Sequence, residues 1–302
     1  MAVSFSPLDL NFFMIDYKGG GTGDALRALP HCAGVISNLS GKQIKRSMLA
    51  ITSENKRRQR LLSSYNVNHI DAYTRLYREE KALLPMPHLL LVIDEFAELK
   101  KEEPEFMQEI ISLAQVGRSL GVHLILSTQK PAGTVDDKIW SNARFRLCLR
   151  VQDGTDSMDM LHNKDAAALT LPGQCYLQIG SHEYYELFQT GYCGGAYQEE
   201  GEEKGRTARL STTGQRMRRE EDKKREWKKS QMEALIGYIK ETAEQYRYPW
   251  AVPLWMDELP DKVFVEKLKK KEKVECWDTE GAKAEERTAL VLVLCDDPEN
   301  QC

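Results

Sequence analysis

The sequence predicts an α/β fold in which helices cover a largely parallel β-sheet. Strand-like runs alternate with helix-like runs over roughly the first two thirds of the chain, which is the pattern of consecutive β-α-β units. One of these runs, 89–93, is continuously apolar, as expected of a buried strand. The chain has 302 residues, of which 41% are hydrophobic, so it is long enough to bury a core and to carry further segments.

Each predicted element has its own local signal. Strands are expected where short apolar runs lie between turn-forming residues, at 9–16, 33–37, 88–94, 122–128, 145–151, 174–179 and 184–189. The last three are short and closely spaced, with a Leu171-Pro172-Gly173 turn among them, so we expect them to pair antiparallel. Helices are expected at 41–63, 69–81 and 104–120, the last of which Gly121 ends.

The chain divides by composition into three predicted regions, an α/β domain over 1–197, a linker and interdomain helical segment over 198–287, and the first strand of a following domain over 288–302. Residues 194–222 are rich in Gly, Glu, Arg, Ser and Thr without apolar periodicity, as in linkers. In the second region, charged helices are expected at 223–246 and 261–273. A Pro- and Trp-rich stretch, 248–260, lies between them.

Charge and cysteine content exclude several classes of protein. The net charge is −4 and the pI about 6.0, so no global basic field attracts nucleic acid or an anionic membrane. Seven scattered cysteines without a CxxC pair predict neither a zinc site nor a disulfide framework, which fits a reducing cytosol. Lys18, the only basic residue among the first twenty, follows the apolar run, and no membrane span or signal peptide is expected.

The strongest chemical signal is the acid pair Asp94-Glu95 at the end of the buried strand 88–94. In P-loop NTPases such a strand delivers an Asp to the magnesium shell, and the next acidic residue orients and deprotonates the attacking water. Successive residues at a strand end point in different directions, so one carboxylate can address the metal and the other the nucleophile. The structural alternative is a strand that runs into a helix cap, because Asp caps helices well.

A second apolar strand ends in polar residues close to the acid pair. The run 122–126 is followed by Ser127, Thr128, Gln129 and a Lys-Pro dipeptide, and open α/β sheets bind ligands at the carboxyl edge of their strands. Thr128 and Gln129 are therefore candidates for nucleotide contacts, with Gln129 as a sensor of the terminal phosphate or its water. The alternative for Gln129 is a turn residue before proline.

Two further patterns are weaker. The glycine-rich run 19–23 follows a strand, yet it lacks the third small residue of the dinucleotide fingerprint and the Gly-Lys-Ser/Thr ending of a phosphate-binding loop. We interpret it as a loop at the sheet edge. Arg58, which follows Arg57, and Arg118 are candidates to reach a phosphate across a subunit interface, since a guanidinium suits a phosphoryl transition state. Their alternative is an ordinary surface ion pair.

Taken together, these residues resemble the FtsK/SpoIIIE superfamily, and more narrowly the first cytosolic ATPase domain of EssC/EccC-type type VII secretion motors. The segments that carry the resemblance are 13–21, 87–99, 117–131, 139–142 and 171–178, and 296–301 resembles the opening of the next ATPase domain. The resemblance implies a RecA-like P-loop NTPase core, here lacking its P-loop strand and helix, followed by a charged helical linker.

The resemblance also implies roles and partners. Asp94 would be the metal ligand in the Mg²⁺ shell, Glu95 the catalytic base and Gln129 the polar sensor, while Arg58 or Arg118 would act across an interface. ATP and Mg²⁺ are the expected cofactors. Family members are hexameric, membrane-anchored motors with cytoplasmic ATPase domains that export secretion substrates, while their relatives pump DNA. The implied partners are therefore neighbouring ATPase domains and subunits and secreted substrates, with DNA less favoured.

The main departure from the family is the absence of any Gly-x4-Gly-Lys-Ser/Thr sequence. The backbone amides of that loop supply much of the phosphate affinity, so little ATP binding or turnover is expected of this chain alone. Three functions stay open at this point: part of an ATP-driven secretion motor, a non-catalytic interaction module of the same machine that docks through its Pro- and Trp-rich stretch, and part of a DNA translocase.

Overall fold

The fold is described from a computed structural model. It covers residues 1–17, 22–37, 41–129, 143–180, 183–192, 194–197, 209–210, 216–217 and 229–254. The glycine-rich run at 19–21, the segment 139–142, the predicted helix 261–273 and the predicted strand 288–294 lie outside these residues.

Four parallel strands form the main sheet, in the order β2-β1-β3-β4. They are β1 (Leu10–Asp16), β2 (Cys32–Ser37), β3 (His88–Asp94) and β4 (Val122–Leu126). The predicted parallel α/β architecture is therefore confirmed. Because all four strands run in one direction, the residues that follow them meet at a single carboxyl edge.

Among the described residues, five helices accompany this sheet: α1 (Thr22–Leu26), α2 (Gly41–Ser64), α3 (Ile70–Arg78), α4 (Phe96–Glu102) and α5 (Pro104–Leu120). The sheet and α2 to α5 contribute to one hydrophobic core, whose most buried members include Phe13, Ile15, Ile70, Tyr73, Leu91, Ile93, Leu99 and Phe106. Gly121 ends α5 with a left-handed backbone, φ 71°, and a Cβ there would lie 2.1 Å from Ile70 Cδ1. This position requires glycine both for its conformation and for its space.

A second, antiparallel sheet follows in the order β5-β6-β7, as predicted. Its strands are β5 (Phe145–Leu149), β6 (Gln174–Ile179) and β7 (Tyr184–Gln189), and α6 (Gly154–Leu161) with a 3₁₀ turn (Asp165–Ala168) lies between β5 and β6. Cys148, Leu161, Ala166 and Leu169 form a small core on one face. Two-residue strands β8 (Arg209–Leu210) and β9 (Arg216–Met217) pair separately.

The other face of the second sheet is apolar and uncovered by the described residues. Alternate residues of a strand point to one face, and on β5 these are Phe145, Leu147 and Leu149, with 67%, 58% and 55% of their surface exposed. Cys148, which points to the opposite face, is buried. Phe145, Leu147 and Leu149 thus form an exposed apolar stripe along β5.

The last described helix, α7 (Gln231–Gln245), begins with a capping box in which Ser230 and Glu233 satisfy each other's backbone N–H groups. The chain then returns to the edge of β2, where Ala251 N–H donates to Pro30 O and Leu254 N–H to Ala33 O, each at 2.8 Å. Ala251 is part of the main core. The Pro- and Trp-rich stretch, expected to lie on a neighbouring surface and not to form its own core, packs on this domain's sheet as far as residue 254.

No helix among the described residues is long and apolar enough to cross a bilayer.

A pair of histidines lies at the amino ends of β3 and β4. His88 Nδ1 is 3.0 Å from His123 Nε2, and the two rings stack. Burial lowers the pKa of both imidazoles, and the positive charge of Arg58 lowers both further. For His88 the charge of His123 also lowers the pKa, Asp71 raises the pKa by more than Arg58 lowers it, and His69 lowers it least.

We predict that this pair makes folding sensitive to mild acid. Since the folded pKa values lie below the ordinary value of about 6.5, the unfolded state binds more protons, and the free energy of unfolding falls as the pH drops below that value. Urea unfolding at pH 7.5, 6.5 and 5.5 measures the effect. The fall should be smaller in His123→Gln, and an equal fall in both proteins would contradict this role for the pair.

Candidate functional site

The polar residues predicted from the sequence meet at the carboxyl edge of the main sheet. Asp94 is the last residue of β3, and Glu95 follows it directly. Ser127, Thr128 and Gln129 come immediately after β4, which pairs with β3 up to the contact of Ile93 with Leu126. Parallel pairing therefore places the two groups side by side, as the sequence predicted.

Asp94 is half-buried and is oriented by two hydrogen bonds to the same oxygen. Its Oδ1 accepts the backbone N–H of Glu95 at 3.1 Å and the hydroxyl of Ser127. The residue at the N-cap of α4 is Glu95, and its side chain makes no capping hydrogen bond. The alternative of a simple Asp cap is thus not the observed arrangement.

Glu95 has a strained backbone and a buried side chain. Its φ and ψ are 56° and 47°, the left-handed region that side chains other than glycine rarely adopt, and it is only 5% exposed. Its Oε1 accepts the backbone N–H of Gln129 at 3.3 Å and lies 3.5 Å from the Thr128 hydroxyl. Strain of about 1–3 kcal/mol at a functional residue persists where the surrounding structure fixes it.

Thr128 and Gln129 were predicted to contact a nucleotide directly. In the structure, both contact Glu95. Gln129 uses its backbone N–H for Glu95, while its side chain is exposed at the edge. The Thr128 side chain is half-buried beside the same carboxylate. Their predicted roles at a nucleotide stay predictions, but their position next to the acid pair is as expected.

The expected role of Arg58 at a subunit interface is wrong for this fold. Its side chain is 2% exposed, and its guanidinium donates to Glu54 Oε1 at 2.7 Å, Leu120 O at 2.9 Å and Pro87 O at 2.7 Å. These carbonyls precede β4 and β3, so Arg58 lies at the amino edge, opposite Asp94. A buried guanidinium with these partners is not available to another subunit.

Arg118 is exposed near the end of α5. Since α5 ends just before β4 begins, Arg118 is at the amino edge, and within one chain it does not meet the acid pair. Its exposure leaves it available to a second subunit, so its interface role stays a prediction.

Asp16 is a member of the edge that the sequence analysis did not single out. It is 3% exposed, ends β1 and lies in register with Asp94. Next to it, a hydrogen bond to Glu102 raises the pKa of Tyr17 to about 12. The sequence did contain a signal for Asp16, because the predicted strand 9–16 also ends in an acid after an apolar run. Only the pairing of β1 with β3 shows that Asp16 lies beside Asp94.

The donor atoms at this edge suit Mg²⁺. Carboxylate and hydroxyl oxygens are the hard ligands that Mg²⁺ prefers, and protein sites commonly give it one or two carboxylates while water and substrate phosphates complete the shell. Among the described residues no group of three or more His, Cys, Asp or Glu side chains is arranged to hold a metal alone. Asp94 and the neighbouring hydroxyl of Ser127 thus offer oxygen donors of the kind that Mg²⁺ prefers.

Comparisons with known proteins agree with this geometry. Residues 1–133 match the model of the FtsK/SpoIIIE family. The chain is 40% identical over its whole length to the type VII secretion system protein EssC of Staphylococcus aureus strain Mu50. Over 87% of its length it is 45% identical to the ESX secretion system protein EccC of Geobacillus thermodenitrificans.

A solved structure gives the fold independently. The cytoplasmic domain of the Thermomonospora curvata type VII secretion ATPase EccC matches 86% of this chain with a TM-score of 0.69 and 27% identity, and the match covers 27% of that chain. The parallel sheet is thus RecA-like, as expected. The chain spans 21% of the EssC and 18% of the EccC relative. It is homologous to the EssC and EccC proteins of type VII secretion, and its residues 1–133 match the model of the FtsK/SpoIIIE family.

Proposed function

We propose that this chain supplies the carboxylate half of an ATP-hydrolysing site in a type VII secretion motor. The observation that carries the proposal is the acid pair at the carboxyl edge, with Asp94 and Glu95 each held by residues that follow β4. Such orientation is what a metal ligand and a base require, since a misplaced catalytic group loses most of its effect.

The two carboxylates have different tasks in this proposal. Asp94 would hold Mg²⁺, which when bound neutralises charge on the phosphate oxygens. Glu95, fixed through Gln129 N–H, would accept the proton of the attacking water. Gln129 presents its exposed side chain to the same edge, where it would sense the terminal phosphate. Arg118 of a neighbouring subunit would stabilise the charge of the transition state.

The phosphate-cradling loop would come from another segment of the protein. No Gly-x4-Gly-Lys-Ser/Thr occurs in the sequence. Among the described strands β4 is hydrogen-bonded to a neighbour on one side only, and its Ile125 is exposed. A further parallel strand added at this edge would end beside Ser127 and deliver its loop to the acid pair, because parallel strands share one carboxyl edge.

The partners and location follow from the same proposal. The relatives are secretion-system proteins, and the chain spans only about a fifth of their length. We therefore propose neighbouring ATPase domains, other subunits of a ring and the exported proteins as partners, with the chain on the cytoplasmic side. DNA is not favoured, because the net charge of −4 provides no general attraction to its backbone.

A non-catalytic interaction module is the second candidate. The uncovered apolar stripe of Phe145, Leu147 and Leu149 favours it, since such a surface needs a partner. The Pro- and Trp-rich stretch, as far as residue 254, does not favour this candidate, because Ala251 and Leu254 pack against this domain's own sheet.

ATP hydrolysis by a protein that joins this chain to a phosphate-binding segment, called the joined protein, tests the proposed function. A protein that joins this chain to a phosphate-binding segment should hydrolyse ATP in a Mg²⁺-dependent manner, while residues 1–302 alone should show no turnover above buffer. Phosphate release with and without EDTA measures both. If the joined protein neither binds nor hydrolyses ATP, the motor proposal is lost and the interaction module remains.

A further inference from the structure

Ser127 occupies a junction between the two strands that carry the site. Its backbone N–H donates to Ile93 O at 2.9 Å, and its carbonyl accepts the N–H of Phe96 at 3.0 Å. Its hydroxyl donates to Asp94 Oδ1. Ser127, the residue directly after β4, is therefore hydrogen-bonded to Asp94 and to the residues on both sides of the acid pair.

These contacts distinguish the two carboxylate oxygens of Asp94. Both of its hydrogen bonds go to Oδ1, and Oδ2 accepts none from the part of the chain that the structure describes. A carboxylate rotates easily about its last torsion angle. A hydroxyl and a backbone N–H on the same oxygen restrict that rotation, so Oδ2 has a defined direction.

We propose that Ser127 is the positioning residue of the metal ligand, fixing Asp94 Oδ1 so that Oδ2 binds the Mg²⁺ of the nucleotide. This inference rests on the proposed ATP site. Outer partners that orient a metal ligand typically account for about 10–100-fold in metal affinity. Since Ser127 acts through Asp94, its loss should weaken cation binding much more than nucleotide binding without metal.

The test measures cation affinity directly. In the joined protein with a non-hydrolysable ATP analogue, Mn²⁺ binding is followed by electron paramagnetic resonance. Ser127→Ala should weaken Mn²⁺ binding by about 10-fold or more, and Ser127→Thr, which keeps the hydroxyl, should restore it. Ser64→Ala removes another exposed hydroxyl, one bonded only to Leu61 O among the described contacts, and should leave Mn²⁺ affinity unchanged.

The outcomes separate this inference from the proposed function. If the unaltered protein binds Mn²⁺ with the analogue and Ser127→Ala binds it equally well, the positioning role is overturned while the ATP site stands. If the unaltered protein binds no Mn²⁺ with the analogue, both are overturned. Should Ser127→Ala fold poorly, Ser127→Cys decides the matter, because it keeps the volume and only a weak donor: near-normal affinity overturns the role, and reduced affinity supports it.

Discussion

Replacing Glu95 with Gln in a protein that joins this chain to a phosphate-binding segment is expected to lower ATP turnover by about 10²–10⁴-fold, the usual contribution of a general base. The amide has the same shape and keeps an oxygen that can accept the Gln129 N–H observed at 3.3 Å. It cannot take a proton from water. ATP binding should therefore remain close to that of the unaltered protein while hydrolysis is lost.

Single-turnover phosphate release and equilibrium binding of ATP together measure this effect. Glu98→Gln is a matched control, because Glu98 lies on α4 in the turn that follows Glu95 and has no part in the proposed chemistry. Turnover by Glu95→Gln within threefold of the unaltered protein would remove Glu95 from the role of base. A parallel loss of ATP binding would indicate a structural effect instead.

Arg58→Met is expected to destabilise the domain by about 3 kcal/mol, within the range seen when one partner of a buried ion pair is removed. The substitution removes the hydrogen bonds to Leu120 O and Pro87 O and leaves both buried carbonyls short of a donor. Although burial alone raises the pKa of Glu54, its hydrogen bond with Arg57 and the charge of Arg58 lower that pKa below its usual value.

Urea unfolding of residues 1–302 measures the loss as a shift of the midpoint. Arg57→Met serves as the control, since Arg57 bonds the same Glu54 but its side chain is 48% exposed, and it should cost no more than about 1 kcal/mol. Equal shifts for the two variants would contradict the structural role assigned to Arg58. A larger shift for Arg58 supports it.

Much of the fold was predictable because its signals are local. The strand His88–Asp94 and the antiparallel strands β6 and β7 have the predicted bounds, since apolar runs between turn residues specify strands over a few residues. The strand at 122–128 was predicted two residues too long, as its end is fixed by pairing with β3. The short helix α4 was not predicted. It begins directly after the acid pair, at Phe96.

The site was predictable to the same extent. An acid at the end of a buried parallel strand must lie at the carboxyl edge, so Asp94 and Glu95 could be placed from sequence order alone. The left-handed backbone of Glu95 and the Ser127 hydroxyl on Asp94 could not, because both depend on how the end of β4 meets the start of α4.

The sequence by itself determined which polar residues lie at strand ends and are candidates for chemistry, since strand ends and polar residue types are local properties. Only the tertiary structure decided which of them are neighbours. Asp16 joins Asp94 through strand register, and Arg58, one of several charged residues on a long helix, is buried because that face of α2 lies over the amino ends of β3 and β4. Register and helix orientation come from the packing of the whole core, which no short stretch of sequence encodes.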